Sequence, residues 1–219
     1  GGPAGIGKTH AVGSTAINRL KACSWSLVLF GEDFETGEPW EIIRAKLGIG
    51  ADVNRDELFG CMDAASMHTG FPFLLIIDAL NETPNARRWK NKLPELIEHI
   101  EPFEGIKICI STRDTAKDIV VDERFDGMAF VHSGFAGQEI QAIQAFCDHY
   151  EIYSEITPLF ADEITNPLFL HLACRTVKAQ GKTELDLSLP GFLQLFEDYL
   201  AVSDESIREK LYPGNPNNL

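Results

Sequence analysis

Gly2 to Thr9 read G-P-A-G-I-G-K-T, a string with the means to bind phosphate. They fit the pattern G-x-x-x-x-G-K-[ST] at every fixed position. Gly2, Gly5 and Gly7 let the backbone approach a phosphate with no Cβ in the way. The N–H groups of such a loop, and of the helix start that follows it, form a cradle for anions. Lys8 is placed to reach the β- and γ-phosphates, and the Thr9 hydroxyl to ligate Mg²⁺. The candidate nucleotide-contacting stretch is therefore Gly2, Pro3, Ala4, Gly5, Ile6, Gly7, Lys8, Thr9 and His10.

A phosphate loop also needs an acidic partner at the end of a neighbouring buried strand. L-L-I-I-D supplies one, Asp78. A carboxylate that ends a run of apolar β-formers is costly to bury unless it meets a cation or donors. Asp78 is the second candidate Mg²⁺ ligand, acting through water, and the alternative is an Asp that merely caps the following loop. Just beyond it in A-L-N-E, Glu82 is the nearest carboxylate that could orient or deprotonate an attacking water. A later apolar run ends I-C-I-S-T-R-D, which brings Arg113 to a strand's carboxyl end, where ligands bind in open α/β sheets. There Arg113 could sense or stabilise γ-phosphate charge, or simply pair with Asp114. Lys8, Asp78, Glu82 and Arg113 form the candidate catalytic set.

These residues need a scaffold. Apolar spacing predicts a helix over His10 to Ala22 and a buried strand over Trp25 to Phe30. Helices follow over Trp40 to Leu47, Asn54 to Met67 and Leu93 to Ile100. F-P-F-L-L-I-I-D is nearly continuously apolar, as expected of a central parallel strand covered on both faces. Ile106 to Ser111 reads as another buried strand and Met128 to His132 as a weaker one. Alternating strands and helices imply a parallel α/β sheet with right-handed crossovers. A phosphate loop normally follows a strand, and that first strand is expected ahead of Gly1, outside these residues.

After Gly134 the pattern turns helical, with Gly137 to Tyr150, Ser154 to Ile164, Asn166 to Gln180 and Pro190 to Leu200 as helices. The expected organisation is a nucleotide-binding core over 1–134, a small helical lid over 135–211 and a linker over 212–219. A net charge of −14 argues against a broad surface for nucleic-acid phosphates. The five cysteines have no C-x-x-C pair, which suggests reduced thiols in the cytoplasm. Cys109 and Cys174 lie in stretches that look buried. No apolar run reaches membrane-spanning length, and the six histidines show no metal-ligand spacing.

In order along the chain, these landmarks resemble the STAND class of P-loop NTPases, close to the NACHT group. The resemblance rests on the loop at 2–9, L-L-I-I-D-A-L-N-E at 74–82 (a Walker B segment), Ser111 to Arg113, and N-P-L at Asn166 to Leu168. H-S-G-F-A-G-Q-E-I at 132–140 is similar to the junction where that family's helical lid begins. I-D-A-L-N-E, F-G-E-D-F and P-W-E-I-I-R-A-K-L-G look most like bacterial antiviral STAND proteins of the Avs type. The resemblance implies a bound ATP with Mg²⁺, and a role for Pro167 against the adenine. A proline is favoured in a first helical turn in any case. It further implies a switch ATPase in antiviral defence that forms a homo-oligomer once a trigger protein engages a sensor region, and then activates a fused effector. Sensor and effector would lie outside these residues. Asn81 departs from the family, which often has a carboxylate there.

Two other functions fit the loop. A P-loop small-molecule kinase would usually carry an arginine-rich lid, whereas Arg175 is the only arginine between residues 137 and 200. A nucleotide-dependent scaffold would bind ATP and barely hydrolyse it, and Asn81 leaves room for that. A GTPase is disfavoured, because N-K-L-P at Asn91 has Pro94 where the base-reading motif requires Asp.

Overall fold

The computed structural model describes residues 1–154, 161–187 and 197–199. The chain divides into two compact units. The first comprises Gly1–Ala4 with Lys8–His132, and the second Gly5–Gly7 with Ser133–Leu219.

The first unit is an open sheet of three parallel strands, in the order β1 (Ser26–Phe30), β2 (Phe73–Asp78) and β3 (Ile106–Ile110). Helix α1 (Lys8–Lys21) precedes β1. Helices α2 (Pro39–Lys46) and α3 (Arg55–Thr69) carry the chain from β1 to β2, and α4 (Trp89–Ile100) from β2 to β3. Such crossovers are what parallel pairing demands. α3 begins in a capping box: the Asn54 side chain accepts the Glu57 N–H at 3.0 Å, and Glu57 accepts the Asn54 N–H at 2.9 Å. Gly70, at φ 72°, ends it. Beyond β3 lies the short α5 (Lys117–Val120).

The core explains which strand is central. Leu75 and Ile77 of β2 pack with Leu29, Phe34, Leu58, Phe59, Trp89 and Leu93 in one apolar cluster. Ile76 faces the other way and is also buried. β2 is thus covered on both faces, and the cross-strand register sets Phe30 beside Asp78 and Ile77 beside Ile110. That register brings the ends of all three strands to one edge.

The turn after β2 is pinned from below. The Thr83 hydroxyl lies 2.9 Å from the carbonyls of both Gly31 and Leu80, and accepts the Trp89 indole N–H at 2.9 Å. Gly31 is needed here because a Cβ would strike the Ala79 carbonyl. Thr83→Val strands a buried indole donor and removes the hydroxyl's own hydrogen bond to the Gly31 or Leu80 carbonyl. It is expected to cost about 1–3 kcal/mol, read from urea unfolding of the two chains.

The second unit has its own core. Ile143 and Cys147 of α6 (Glu139–Tyr150) meet Leu170, Cys174 and Val177 of α8 (Pro167–Ala179), with Leu185 and Leu187. The short α7 (Ala161–Ile164) contributes Ile164. An isolated parallel bridge joins Tyr153 to Glu184. The expected helix over Pro190 to Leu200 and the linker over 212–219 lie largely or wholly outside the described residues, as does most of Ser154 to Ile164.

Several expectations are corrected. Met128 to His132 is not a strand: Met128 closes a 3₁₀ turn, and no strand among the described residues lies beside the rest to form a ladder. Its backbone instead bonds Gly1, whose ammonium donates to the Phe130 carbonyl (2.6 Å) and whose carbonyl accepts the His132 N–H (2.8 Å). β1 is an edge strand of the described sheet, with only Leu29 buried. α1 buries none of its residues, and Leu20 is 72% exposed. Cys174 is buried as expected, but Cys109 is exposed on β3, the other edge of the described sheet.

Candidate nucleotide site

The loop between Gly1 and Lys8 is shaped by its glycines. Gly5 and Gly7 sit at φ 74° and 95°, a region that side-chain-bearing residues rarely adopt. α1 then starts directly at Lys8, with no acidic residue in its first turn. Its first N–H groups have no intrahelical acceptor and no carboxylate of their own turn beside them. A helix start of this kind attracts anions. His10, in that first turn, is exposed, as are Pro3 and Ala4.

Lys8 folds back towards the start of the loop. Its ammonium donates to the Gly2 and Pro3 carbonyls, at 2.6 Å each. Burial lowers its pKa from the ordinary lysine value. Asp114 opposes this most strongly, Arg113 adds to the lowering, and Asp78 and Glu82 oppose it more weakly. Four charged side chains from the strand-end edge therefore act on Lys8 together.

The carboxylate of Asp78, only 1% exposed, uses both oxygens. Thr9 donates its hydroxyl to Oδ2 at 2.6 Å, and the Ser111 hydroxyl donates to Oδ1. The buried charge thus has the donors that its desolvation requires. Thr9 and Asp78 are hard oxygen donors side by side, a set that fits Mg²⁺, which commonly takes one or two protein oxygens with phosphate and water. When bound there, the ion would neutralise charge on the β- and γ-phosphate oxygens. Among the described residues, no group of three or more His, Cys, Asp or Glu could hold a metal ion.

The end of β3 is stitched to the turn after β2. Ser111 accepts the Ala79 N–H at 2.9 Å through its hydroxyl, and its carbonyl accepts the Leu80 N–H at 2.9 Å. Ala79 itself is left-handed at φ 53°, which turns the chain sharply away from the strand. The Asn81 amide oxygen accepts the Arg113 N–H at 3.0 Å and lies 3.3 Å from the Thr112 hydroxyl. Arg113 pairs through Nη2 with Glu82 Oε1 at 2.9 Å. That is neither a free phosphate sensor nor the Asp114 pair that the sequence allows.

Pro167 belongs to the second unit, as do Gly5, Ile6 and Gly7. Asn166 caps α8 by accepting the Leu168 N–H at 3.0 Å, with Pro167 in the first turn. The Leu168 N–H also reaches the Gly5 carbonyl at 3.3 Å. A Cβ on Gly7 would lie 3.5 Å from the Pro167 ring, and one on Gly5 would collide with Leu168. Ile6 is buried in the same unit.

No family model and no curated protein matches the chain. Among solved structures it is similar to two variants of RuvB from Thermotoga maritima. Each is 14% identical, with a TM-score of 0.35. The alignments cover 95% and 97% of this chain, and 78% of each RuvB chain. The fold is an open parallel α/β sheet, with the glycine loop feeding α1 and Asp78 ending the central strand.

Two participants escape a reading of the sequence. Asn81 is legible there only as an absent carboxylate, yet its amide oxygen fastens Arg113. Asp114 reads as an ion-pair partner for Arg113, and instead it is the carboxylate that acts most strongly on Lys8. The S-T-R-D string holds a clue. Arg113 is extended, at φ −73° and ψ 144°, and neighbouring side chains on extended backbone point to opposite sides.

Proposed function

We propose that this chain is the ATP-binding and hydrolysing switch module of a STAND-type signalling or defence ATPase. In this reading ATP and ADP favour different states of the module, and the ATP state permits homo-oligomerisation and activation of a fused effector. The trigger would be a protein sensed outside these residues, in the cytoplasm. The observation that carries the nucleotide part is the Thr9–Asp78 bond, which joins the loop hydroxyl to the buried strand-end carboxylate at 2.6 Å. Lys8 beside it, bonded to carbonyls that a phosphate would replace, supports the same reading. A ligand moves a two-state equilibrium only through different affinities for the two states.

Titration calorimetry with MgATP and MgADP, with phosphate release measured alongside, tests the proposal. Binding of both with slow turnover is the expected result, and binding of neither sinks it. Pro167→Ala removes two methylenes from the proposed adenine contact. It should weaken ATP and ADP alike by about three- to tenfold, and unchanged affinities would remove Pro167 from the site.

The second reading, a scaffold with little hydrolysis, is favoured by one observation: Glu82 is engaged by Arg113, and its neighbour Asn81 is an amide. Turnover measurements separate the two readings.

A further inference from the structure

The structure joins two residues that the ATPase reading assigns to separate tasks. We infer that the Glu82–Arg113 ion pair is a latch: Arg113 holds Glu82 until the terminal phosphate of a bound nucleoside triphosphate draws the guanidinium away. The water-activating carboxylate is then released only when there is a γ-phosphate to attack. This inference rests on the ATP-site reading above.

Three features make the pair a latch rather than a fixture. First, it is held by little else, since the two side chains are 51% and 49% exposed. Packing does not lock either, and exposed pairs of this kind are weak. Arginine-to-phosphate bonds are charge-assisted and often bidentate, so a phosphate competes well for the same guanidinium. Second, only the tip of Arg113 is free to turn. Its backbone N–H is fastened to Asn81, and the Glu82 N–H donates to the Ala79 carbonyl at 2.8 Å. The guanidinium can therefore change partner while the β2 turn and the end of β3 stay in place.

Third, the pair lies in the field of Lys8. Arg113 and Glu82 both act on that ammonium, which is the group positioned to hold β- and γ-phosphates. A triphosphate there sets its outermost charge against the two partners, attracting Arg113 and repelling Glu82. A diphosphate lacks that group and leaves the pair closed. The latch therefore distinguishes ATP from ADP with residues of one strand edge, and protects against idle proton abstraction when no γ-phosphate is bound.

The test is a binding cycle on the chain, read by calorimetry with Mg²⁺ and either ADP or the non-hydrolysable analogue AMP-PNP. Glu82→Gln keeps the shape of the side chain and removes its charge, freeing Arg113. Affinity for AMP-PNP should rise about two- to fivefold, the range set by weak exposed ion pairs, while affinity for ADP stays at the parent value. The ADP arm also shows that the variant is folded. In an Arg113→Ala background, Glu82→Gln should no longer change AMP-PNP affinity. The latch is overturned if Glu82→Gln binds AMP-PNP as the parent does, if ADP tightens equally, or if the gain persists without Arg113. A parent chain that binds neither nucleotide overturns the ATP-site reading itself, and the latch with it.

Discussion

Lys8→Ala is expected to abolish ATP binding at working concentrations. The ammonium supplies two charge-assisted hydrogen bonds to the loop carbonyls, and a β,γ-phosphate pair is the stronger acceptor for the same donors. Each hydrogen bond to a charged group is worth about 1.5–3 kcal/mol, so losing the bridge costs roughly 3 kcal/mol or more, about a hundredfold in affinity. The loop itself responds unevenly. The Pro3 carbonyl belongs to an exposed residue and can take water in place of the ammonium, while Gly2 is buried and loses a donor. Some loss of loop order is therefore expected alongside the loss of binding, with helix α1 kept. Calorimetry of parent and variant, with circular dichroism to show equal helix content, measures the difference. An affinity within about a factor of two of the parent would mean that the phosphates sit elsewhere.

Glu82→Gln is expected to act on turnover rather than on binding. If Glu82 orients or deprotonates the attacking water, general-base catalysis of about 10²–10⁴-fold is at stake. Phosphate release should fall by that factor while AMP-PNP still binds. Two facts single out this residue. Glu82 is the first carboxylate after the buried Asp78, and its side chain is half exposed at the same strand edge. Equal and negligible rates in parent and variant would favour the scaffold reading. Equal and substantial rates would place the base on another residue.

Much of the site is legible in the sequence because its signals are local. The glycine spacing, the lysine and threonine after it, and an Asp closing an apolar run each follow from neighbours along the chain. Helices α3 and α8 are legible for the same reason, through Asn54 with Glu57 and through Asn166 with Pro167. α4 starts at Trp89, a turn earlier than the Leu93 that apolar spacing predicts, and carries Pro94 in its interior. Met128 to His132 has the composition of a strand, but a strand needs a partner to form a ladder, and composition does not supply one.

Patterns a few residues long were enough to mark the glycine loop ahead of α1, the central strand that ends in Asp78, and the helices after Gly134. The partners were decided by the tertiary structure: Thr9 and Ser111 for Asp78, Asn81 for the Arg113 backbone, and Glu82 for its guanidinium. Those pairings join residues 31 to 69 positions apart. The register of β2 against β3 selects among several nearby carboxylates. Spacing along the chain carries no information about that register, so the choice between Asp114 and Glu82 as the partner of Arg113 came only with the fold.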